Sequence, residues 1–335
     1  MENNPSNAGR RNFLKHAATA GAGALTACSQ QSGSKVQPVS TIPNDQGTVN
    51  PADMPMTRIK HMAVSRLVMG ANPMWGWSHR GDLLTQLMLD YYTTEQVVEV
   101  LLHAERCGIN TWQTSLNSRH EGQAHAGERV MHDWQVYKDA GGKMNLIALI
   151  TPANIEDETI WRKTLAMKPD ALVHHGNMAD KHWANRDMEP VKERLKIFRD
   201  AGTLVGYSCH TPNSMLWVEE QGWDVDFYMS SFYRASYELR KQWPETLEHK
   251  PLHEMYLEGI PDEMTAAMRK VEKPALGYKV LAAGRLADKP DLIGNAFKYA
   301  FDNIKQEDGV IVGMFPKFRD QVTESARLTV QYGQV

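Results

Sequence analysis

The feature that most limits what this chain can fold into is a repeat. Beyond residue 60, short apolar runs alternate with amphipathic helical stretches eight times over. The runs span 66–74, 109–115, 145–150, 171–177, 204–210, 227–233, 275–281 and 310–315. The helical patterns between them cover 95–107, 127–140, 156–167, 189–201, 214–221, 262–271, 290–303 and 320–332. Strict strand–helix alternation forces successive strands to run parallel, because each crossover helix returns the chain to the same edge. Near-continuous apolar strands are what a sheet covered on both faces requires. Local punctuation agrees: Thr94 precedes the first helix, Cys107-Gly108 and Ala201-Gly202 close others, and Pro290 suits a first helical turn. Roughly 285 residues remain once an unusual N-terminus is set aside, a length suited to one closed (β/α)8 TIM barrel. A doubly wound open sheet is the alternative, since alternation alone does not prove closure.

The formal net charge of −3 and the lack of a basic stripe argue against nucleic acid as a partner. Three cysteines, Cys28, Cys107 and Cys209, are too few for a disulfide framework. The first and sixth strand-to-helix connections are lengthened, over 75–92 and 234–259. Both follow strand C-termini, the face on which barrels build their sites, so they are expected to wall a ligand cavity.

The N-terminus reads as an address. Gly9-Arg10-Arg11-Asn12-Phe13-Leu14-Lys15 is similar to the twin-arginine export signal, and a mild apolar stretch follows over 17–27. That stretch is too short to span a bilayer. Leu25-Thr26-Ala27-Cys28 resembles a lipobox, cleaved before a cysteine that then carries lipid. These resemblances imply a signal peptide over 1–28, passage through the twin-arginine translocase, and a periplasmic protein held at a membrane by Cys28. Residues 29–55 are rich in Gln, Ser, Pro and Asn and read as a disordered tether, which leaves 56–335 for the barrel.

Several segments, in order along the chain, resemble the aldo/keto reductases. Ser65-Arg66-Leu67-Val68-Met69-Gly70 is similar to that family's opening strand, and Cys107-Gly108-Ile109-Asn110-Thr111-Trp112 to the approach to its second. Asp170-Ala-Leu-Val-His-His175, Val205-Gly206-Tyr207-Ser208 and Leu281-Ala-Ala-Gly284-Arg285-Leu286 resemble later strand ends. Gly313 with Gln321-Val322-Thr323-Glu324 resembles the cofactor-clasping end. The resemblance implies a barrel oxidoreductase that could bind NADP(H), with Ser208, Arg285, Lys317, Arg319 and Glu324 at the dinucleotide. The family's catalytic set is mostly replaced. Its Asp position falls on Gln113, its Tyr on Ser118 and its Lys on Ile150 or Thr151, and only His175 stands where the family has a histidine. A serine hydroxyl titrates far above a tyrosine, so reduction by the family's mechanism is not expected.

Polar residues nonetheless collect at the strand C-termini. His175, His210 and Lys279 are the candidate acid/base groups, because imidazole titrates near neutrality and a buried amine is pulled towards it. Asn72, Trp75, Trp77, Gln113, Asn117 and Tyr233 are candidate contacts for a small polar substrate, the aromatic faces serving as platforms for sugar-like rings. His174 lies on the opposite strand face from His175 and is expected to be structural. Tyr91-Tyr92 and Asp133-Trp134 read as packing. No close metal-ligand spacing occurs, so a histidine-bound metal is the less favoured reading. The functional expectation is an exported enzyme with a non-standard site, acting on a small, carbohydrate-derived carbonyl or hydroxyl compound. The alternatives are a binding lipoprotein without turnover and a cofactor-independent isomerase or lyase.

Overall fold

Eight parallel strands close into a ring. The computed structural model describes residues 42–116, 119, 127–234 and 254–334. Cys28 and the export motifs, together with Asn117 and Ser118, lie outside the described residues. The chain opens with an antiparallel hairpin of β1 (Met56–Ile59) and β2 (Met62–Ser65). The barrel strands are β3 (Leu67–Gly70), β4 (Thr111–Ser115), β5 (Asn145–Ile150), β6 (Ala171–His174), β7 (Leu204–Cys209), β8 (Phe227–Ser231), β9 (Ala275–Tyr278) and β10 (Gly309–Gly313). Closure comes from β10 pairing with β3, Val310 opposite Leu67 and Gly313 opposite Gly70. The open-sheet alternative is thereby excluded.

Alternation along each strand divides the core in two. Val68, Ile147, Val173, Phe227, Leu276 and Ile311 fill the interior of the barrel. Leu67, Trp112, Leu172, Val205, Tyr228 and Val312 point outward, beneath the helices. Burying one such side chain stabilises the fold by about 1.5–3 kcal/mol, so the two layers together dominate stability. The hairpin is the element that the repeat does not announce. Its Ile59, Met62 and Val64 join the interior cluster and close the N-terminal end, which leaves the C-terminal end as the open one.

The helices are α1 (Asp82–Tyr91), α2 (Thr94–Arg106), α3 (Glu128–Asp139), α4 (Pro152–Glu156), α5 (Glu158–Ala166), α6 (Gly176–Ala184), α7 (Glu189–Asp200), α8 (Pro212–Glu220), α9 (Ile260–Met268), α10 (Pro290–Asn303) and α11 (Gln321–Tyr332). Three departures from the sequence reading bear on the site. The first strand stops at Gly70, because Pro73 begins a 3-10 turn over Asn72–Trp75. The single helix expected over 156–167 is two: Asp157 ends α4 and caps α5, accepting from the Thr159 and Ile160 amides. The third departure is α6, an extra helix between β6 and the expected α7.

The lengthened first connection, which contains α1, is tied across the mouth to the connection after β9. Arg80 donates to the Gly284 carbonyl at 3.0 Å, and Arg285 donates to the carbonyls of His79 at 3.0 Å and Glu254 at 3.2 Å. Cys107 and Cys209 are buried, free thiols. No described helix is long and apolar enough to cross a membrane.

Candidate active site

The open end of the barrel carries a chain of polar groups drawn from β7, β9 and α6. Asp180, fully buried on α6, accepts the Nδ1–H of His210 at Oδ2, 2.8 Å away. Both of its oxygens also accept the His210 backbone N–H, at 3.1 Å. A carboxylate at Nδ1 puts the imidazole proton there and leaves Nε2 as an acceptor. Nε2 lies 3.1 Å from the Tyr278 hydroxyl, which therefore donates to it. Ser208 Oγ donates in turn to the Tyr278 oxygen at 3.4 Å. The Cys209 carbonyl, 3.3 Å from the same hydroxyl, is a second acceptor for its proton. The His210 and Tyr278 rings meet edge to face, 5.4 Å between centroids.

Local sequence explains why these groups meet. Ser208 and Tyr278 belong to β7 and β9, while Asp180 sits on the second turn of α6. That helix begins against the cluster at Gly176. A Cβ there would lie 2.9 Å from Ser208 Oγ and 3.2 Å from both His210 Cε1 and Tyr278 Oη. Only a residue without a side chain lets α6 approach closely enough for Asp180 to reach His210.

Electrostatics sets the protonation states. Burial lowers the His210 pKa, and the hydrogen bond and charge of Asp180 oppose that without reversing it, so the ring is neutral near pH 7. Burial pushes the Tyr278 phenol well above its usual range, which keeps it protonated. His175 is the residue immediately before α6. Burial, with help from His210, drops its pKa to about 4. Its Nδ1 is buried with no hydrogen-bond partner among the described residues. Lys279 follows Tyr278 in a left-handed conformation, φ 65°. Burial lowers its pKa against the pull of Glu254. Burial works against the Glu254 carboxylate in its turn. The hydrogen bond from His79 Nδ1 at 2.9 Å, with the charges of His79 and Lys279, outweighs it and lowers that pKa to about 2.

Of His175, His210 and Lys279, His210 bonds to Tyr278, Lys279 follows Tyr278 in the chain, and His175 immediately precedes α6. The proposed substrate contacts divide. Asn72 sits exposed at the rim, Nδ2 lying 3.2 Å from His79 Nε2. Trp77 is 37% exposed, with the Arg119 guanidinium 5.4 Å above its ring. Gln113 is half-buried on β4, in register with Gly70 and Ile147. Tyr233 is buried, with its ring 5.1 Å from that of Tyr256. Trp75 is a correction. It is fully buried, donates its Nε1–H to Thr114 Oγ1 at 2.8 Å and packs on Trp112 in the outer layer, so no ligand at the mouth can reach it. The apolar run misled there because Pro73 and Gly76 turn the chain back onto the barrel wall.

All but Lys317 of the residues matched to a dinucleotide are engaged within the protein. Ser208 donates to Tyr278. The Arg285 guanidinium lies 4.0 Å from the Tyr256 ring centre and is bonded to loop carbonyls. Arg319 pairs with Glu324 at 3.1 Å and donates to the Ala287 carbonyl at 3.3 Å. Lys317 is half-buried, 5.6 Å from the centre of the Phe318 ring. Beside this pair, Asp45 accepts the Asp320 amide at 2.9 Å and Gln46 accepts from Arg327 at 3.3 Å, so the segment before β1 lies across the start of α11. Among the described residues no cluster of His, Cys, Asp or Glu is arranged to hold a metal ion.

Asp180 is absent from the sequence reading, and Tyr278 enters it only as one of the polar residues at the strand ends, with no role. Asp180 belongs to a helix that the reading does not contain, in a stretch (Gly176–Ala184) whose Gly and Asn obscure helical periodicity. Tyr278 is visible at a strand end but carries no motif. The available signal is its place beside Lys279 at the exit of the seventh barrel strand.

No protein-family model matches the chain, and no curated protein does. Solved structures do. A protein described as an aldo-keto reductase from Pseudomonas aeruginosa superposes with a TM-score of 0.52 at 16% identity, covering 85% of this chain and 98% of its own. The holo form of an aldo-keto reductase from Bacillus halodurans gives 0.47 at 13% identity, covering 84% and 91%. At these identities the likeness is one of fold: the chain has the (β/α)8 barrel that aldo-keto reductases also use.

Proposed function

We propose that this protein is an acid/base enzyme that moves protons on a small polar hydroxy-carbonyl compound without a nicotinamide dinucleotide. The observation that carries this reading is the Asp180–His210–Tyr278 chain ending at the barrel mouth. Its direction is fixed. With Nδ1–H given to Asp180, His210 has one lone pair, and it points at the tyrosine. A substrate proton arriving at Tyr278 Oη displaces the tyrosine's own proton onto His210 Nε2. The imidazolium so formed is stabilised by the buried carboxylate, as in other aspartate-supported histidine bases. His175, neutral and with an unpartnered Nδ1, is a second acceptor or an orienting contact for a substrate hydroxyl. Gln113, Asn72 and Trp77 offer amide and aromatic contacts around it.

A dinucleotide fits this mouth poorly. Its phosphates need cations free to meet them, whereas Arg285 and Arg319 are tied to carbonyls and to Glu324, which leaves Lys317 as the one matched cation not so tied. The Asp45–Gln46 segment lies over the helix start that an adenine-side carboxylate would serve. The proposed proton transfer therefore runs without NADP(H). The cellular setting is part of the same proposal and rests on the sequence motifs: export by the twin-arginine route and retention by lipid on Cys28. Metabolic labelling with palmitate would be lost in Cys28→Ala.

The test of the chemistry is solvent deuterium exchange into dihydroxyacetone and hydroxyacetone, followed by proton NMR with no nucleotide added. Exchange above the buffer background in wild type, and its loss in Tyr278→Phe, is the expected result. A dinucleotide retained in the native mass spectrum, with no exchange, would return the protein to redox chemistry.

A further inference from the structure

The proton relay leaves Lys279 without a role, and unlike two of the other half-buried lysines it has no carboxylate partner among the described residues. Lys273 and Lys305 are neutralised by Glu219 and Asp308 at 2.7 and 2.9 Å. No described carboxylate lies within ion-pair distance of the Lys279 ammonium, which sits 5.5 Å from the centre of the Tyr256 ring. The backbone beneath it is strained: Lys279, Ala282, Ala283 and Gly284 all have positive φ, and the Lys279 carbonyl accepts the Ala282 amide at 2.8 Å. Lys279 follows directly on Tyr278, the last residue of β9, so the amine and the relay hydroxyl belong to neighbouring residues. His175, His210 and Asp180 are close enough there to interact with it electrostatically.

The geometry points to Lys279 as a covalent catalyst that forms an imine with the carbonyl carbon of an aldehyde or ketone substrate, beside the Tyr278–His210 base. This rests on the proton-transfer reading above and deepens it by naming the substrate's reactive group. Desolvation and the nearby Arg285 charge favour the neutral amine that such a step needs, with Glu254 opposing them. The Nζ lone pair adds to the carbonyl carbon, and the π pair moves to oxygen. One proton passes from nitrogen to that oxygen to give a neutral carbinolamine. A second proton, from solvent, lets the oxygen leave as water while the nitrogen lone pair forms C=N, and the iminium carries that proton's charge. An α-hydrogen then leaves as a proton to Tyr278 Oη, the tyrosine proton moves to His210 Nε2, and the C–H pair becomes the C=C of an enamine. Reprotonation and addition of water reverse the sequence and release the amine. No electrons enter or leave, so no oxidant or reductant is required. The iminium lowers the barrier to losing the α-proton, which gives an amine beside a histidine-backed tyrosine a use.

Trapping tests it. The full chain is incubated with dihydroxyacetone and sodium cyanoborohydride, and then examined by intact mass and peptide mapping. The expected result is a reduced adduct on the peptide containing Lys279, lost in Lys279→Arg and Lys279→Met but retained in Tyr278→Phe, with thermal melting confirming that each variant is folded. No adduct, or adducts spread over surface lysines alike in wild type and Lys279→Met, would overturn the imine. Deuterium exchange separates the two readings. If Lys279→Arg exchanges as fast as wild type, the imine fails and the relay stands. If Tyr278→Phe exchanges as fast as wild type, the relay itself fails.

Discussion

Each group in the relay does one thing, and each can be removed singly. Tyr278→Phe keeps the ring packed on His210 and deletes only the hydroxyl; His210→Ala deletes the acceptor. Either is expected to slow deuterium exchange roughly 10²–10⁴-fold, the usual contribution of a positioned acid/base group; Tyr278→Phe should change the melting temperature little, whereas His210→Ala should lower it by leaving the buried Asp180 carboxylate without its ring partner. Asp180→Asn differs, because an amide oriented by the His210 backbone N–H offers the ring a donor where it now has an acceptor. The tautomer that leaves Nε2 free for Tyr278 is then no longer enforced. An exchange rate unchanged in Asp180→Asn would remove the carboxylate from the mechanism. Gly176→Ala tests the close approach. A methyl group 2.9 Å from Ser208 Oγ must push α6 outward. The expected outcome is a cost of about 1–3 kcal/mol in chemical denaturation, with exchange lost out of proportion to stability.

The elements around the mouth were legible to different degrees. The strands were readable because a buried parallel strand must be apolar along its whole length, and β5 matches its run of 145–150 residue for residue. Closure was not readable from the repeat, since the pairing of β10 with β3 joins residues far apart in sequence. The hairpin at the floor was missed for the opposite reason: Met56–Ile59 and Met62–Ser65 are short and half-polar, and they become core only because an open barrel end awaits them. At the site, His175, His210 and Lys279 stood out as titratable groups at strand ends. Asp180 stayed hidden because partnership between a helix residue and the next strand is a tertiary fact. Arg285 shows the same limit. A cation at the exit of the seventh barrel strand looks like a phosphate ligand until its hydrogen bonds to the His79 and Glu254 carbonyls are seen. Arg285→Ala is therefore expected to loosen the tie between three loops. The thermal midpoint should fall and cleavage near Tyr256 should speed up in limited proteolysis, while calorimetric titration with NADPH stays flat in both proteins. Saturable NADPH binding in wild type that Arg285→Ala abolishes would restore the phosphate role.

At the scale of the whole molecule, the buried imidazoles make stability depend on pH in a direction that can be worked out. Burial, with help from Arg194, lowers the His174 pKa to about 3, and both of its ring nitrogens are buried without partners among the described residues. His175 stands at about 4. In the unfolded chain both titrate near 6.5, so between that value and the folded values the unfolded state binds more protons and acid drives unfolding. Stability is complete above about pH 6.5 and is lost as the pH falls towards 4 and then 3. Glu254, held near 2, extends the loss to lower pH because its carboxylate is favoured only in the fold. Asp308 and Glu324, raised by burial, work in the opposite sense and soften the slope. His174 is the cleanest probe because it faces the helices and not the mouth. At pH 5 its reluctance to protonate costs the fold up to about 2 kcal/mol, and at pH 8 nothing. His174→Leu fills the same outward position without polar atoms, so it should raise stability at pH 5 well above any change at pH 8, while leaving deuterium exchange intact. A difference between mutant and wild type that is the same at both pH values would mean that His174 finds a hydrogen-bond partner in solution and is no acid-sensitive weak point.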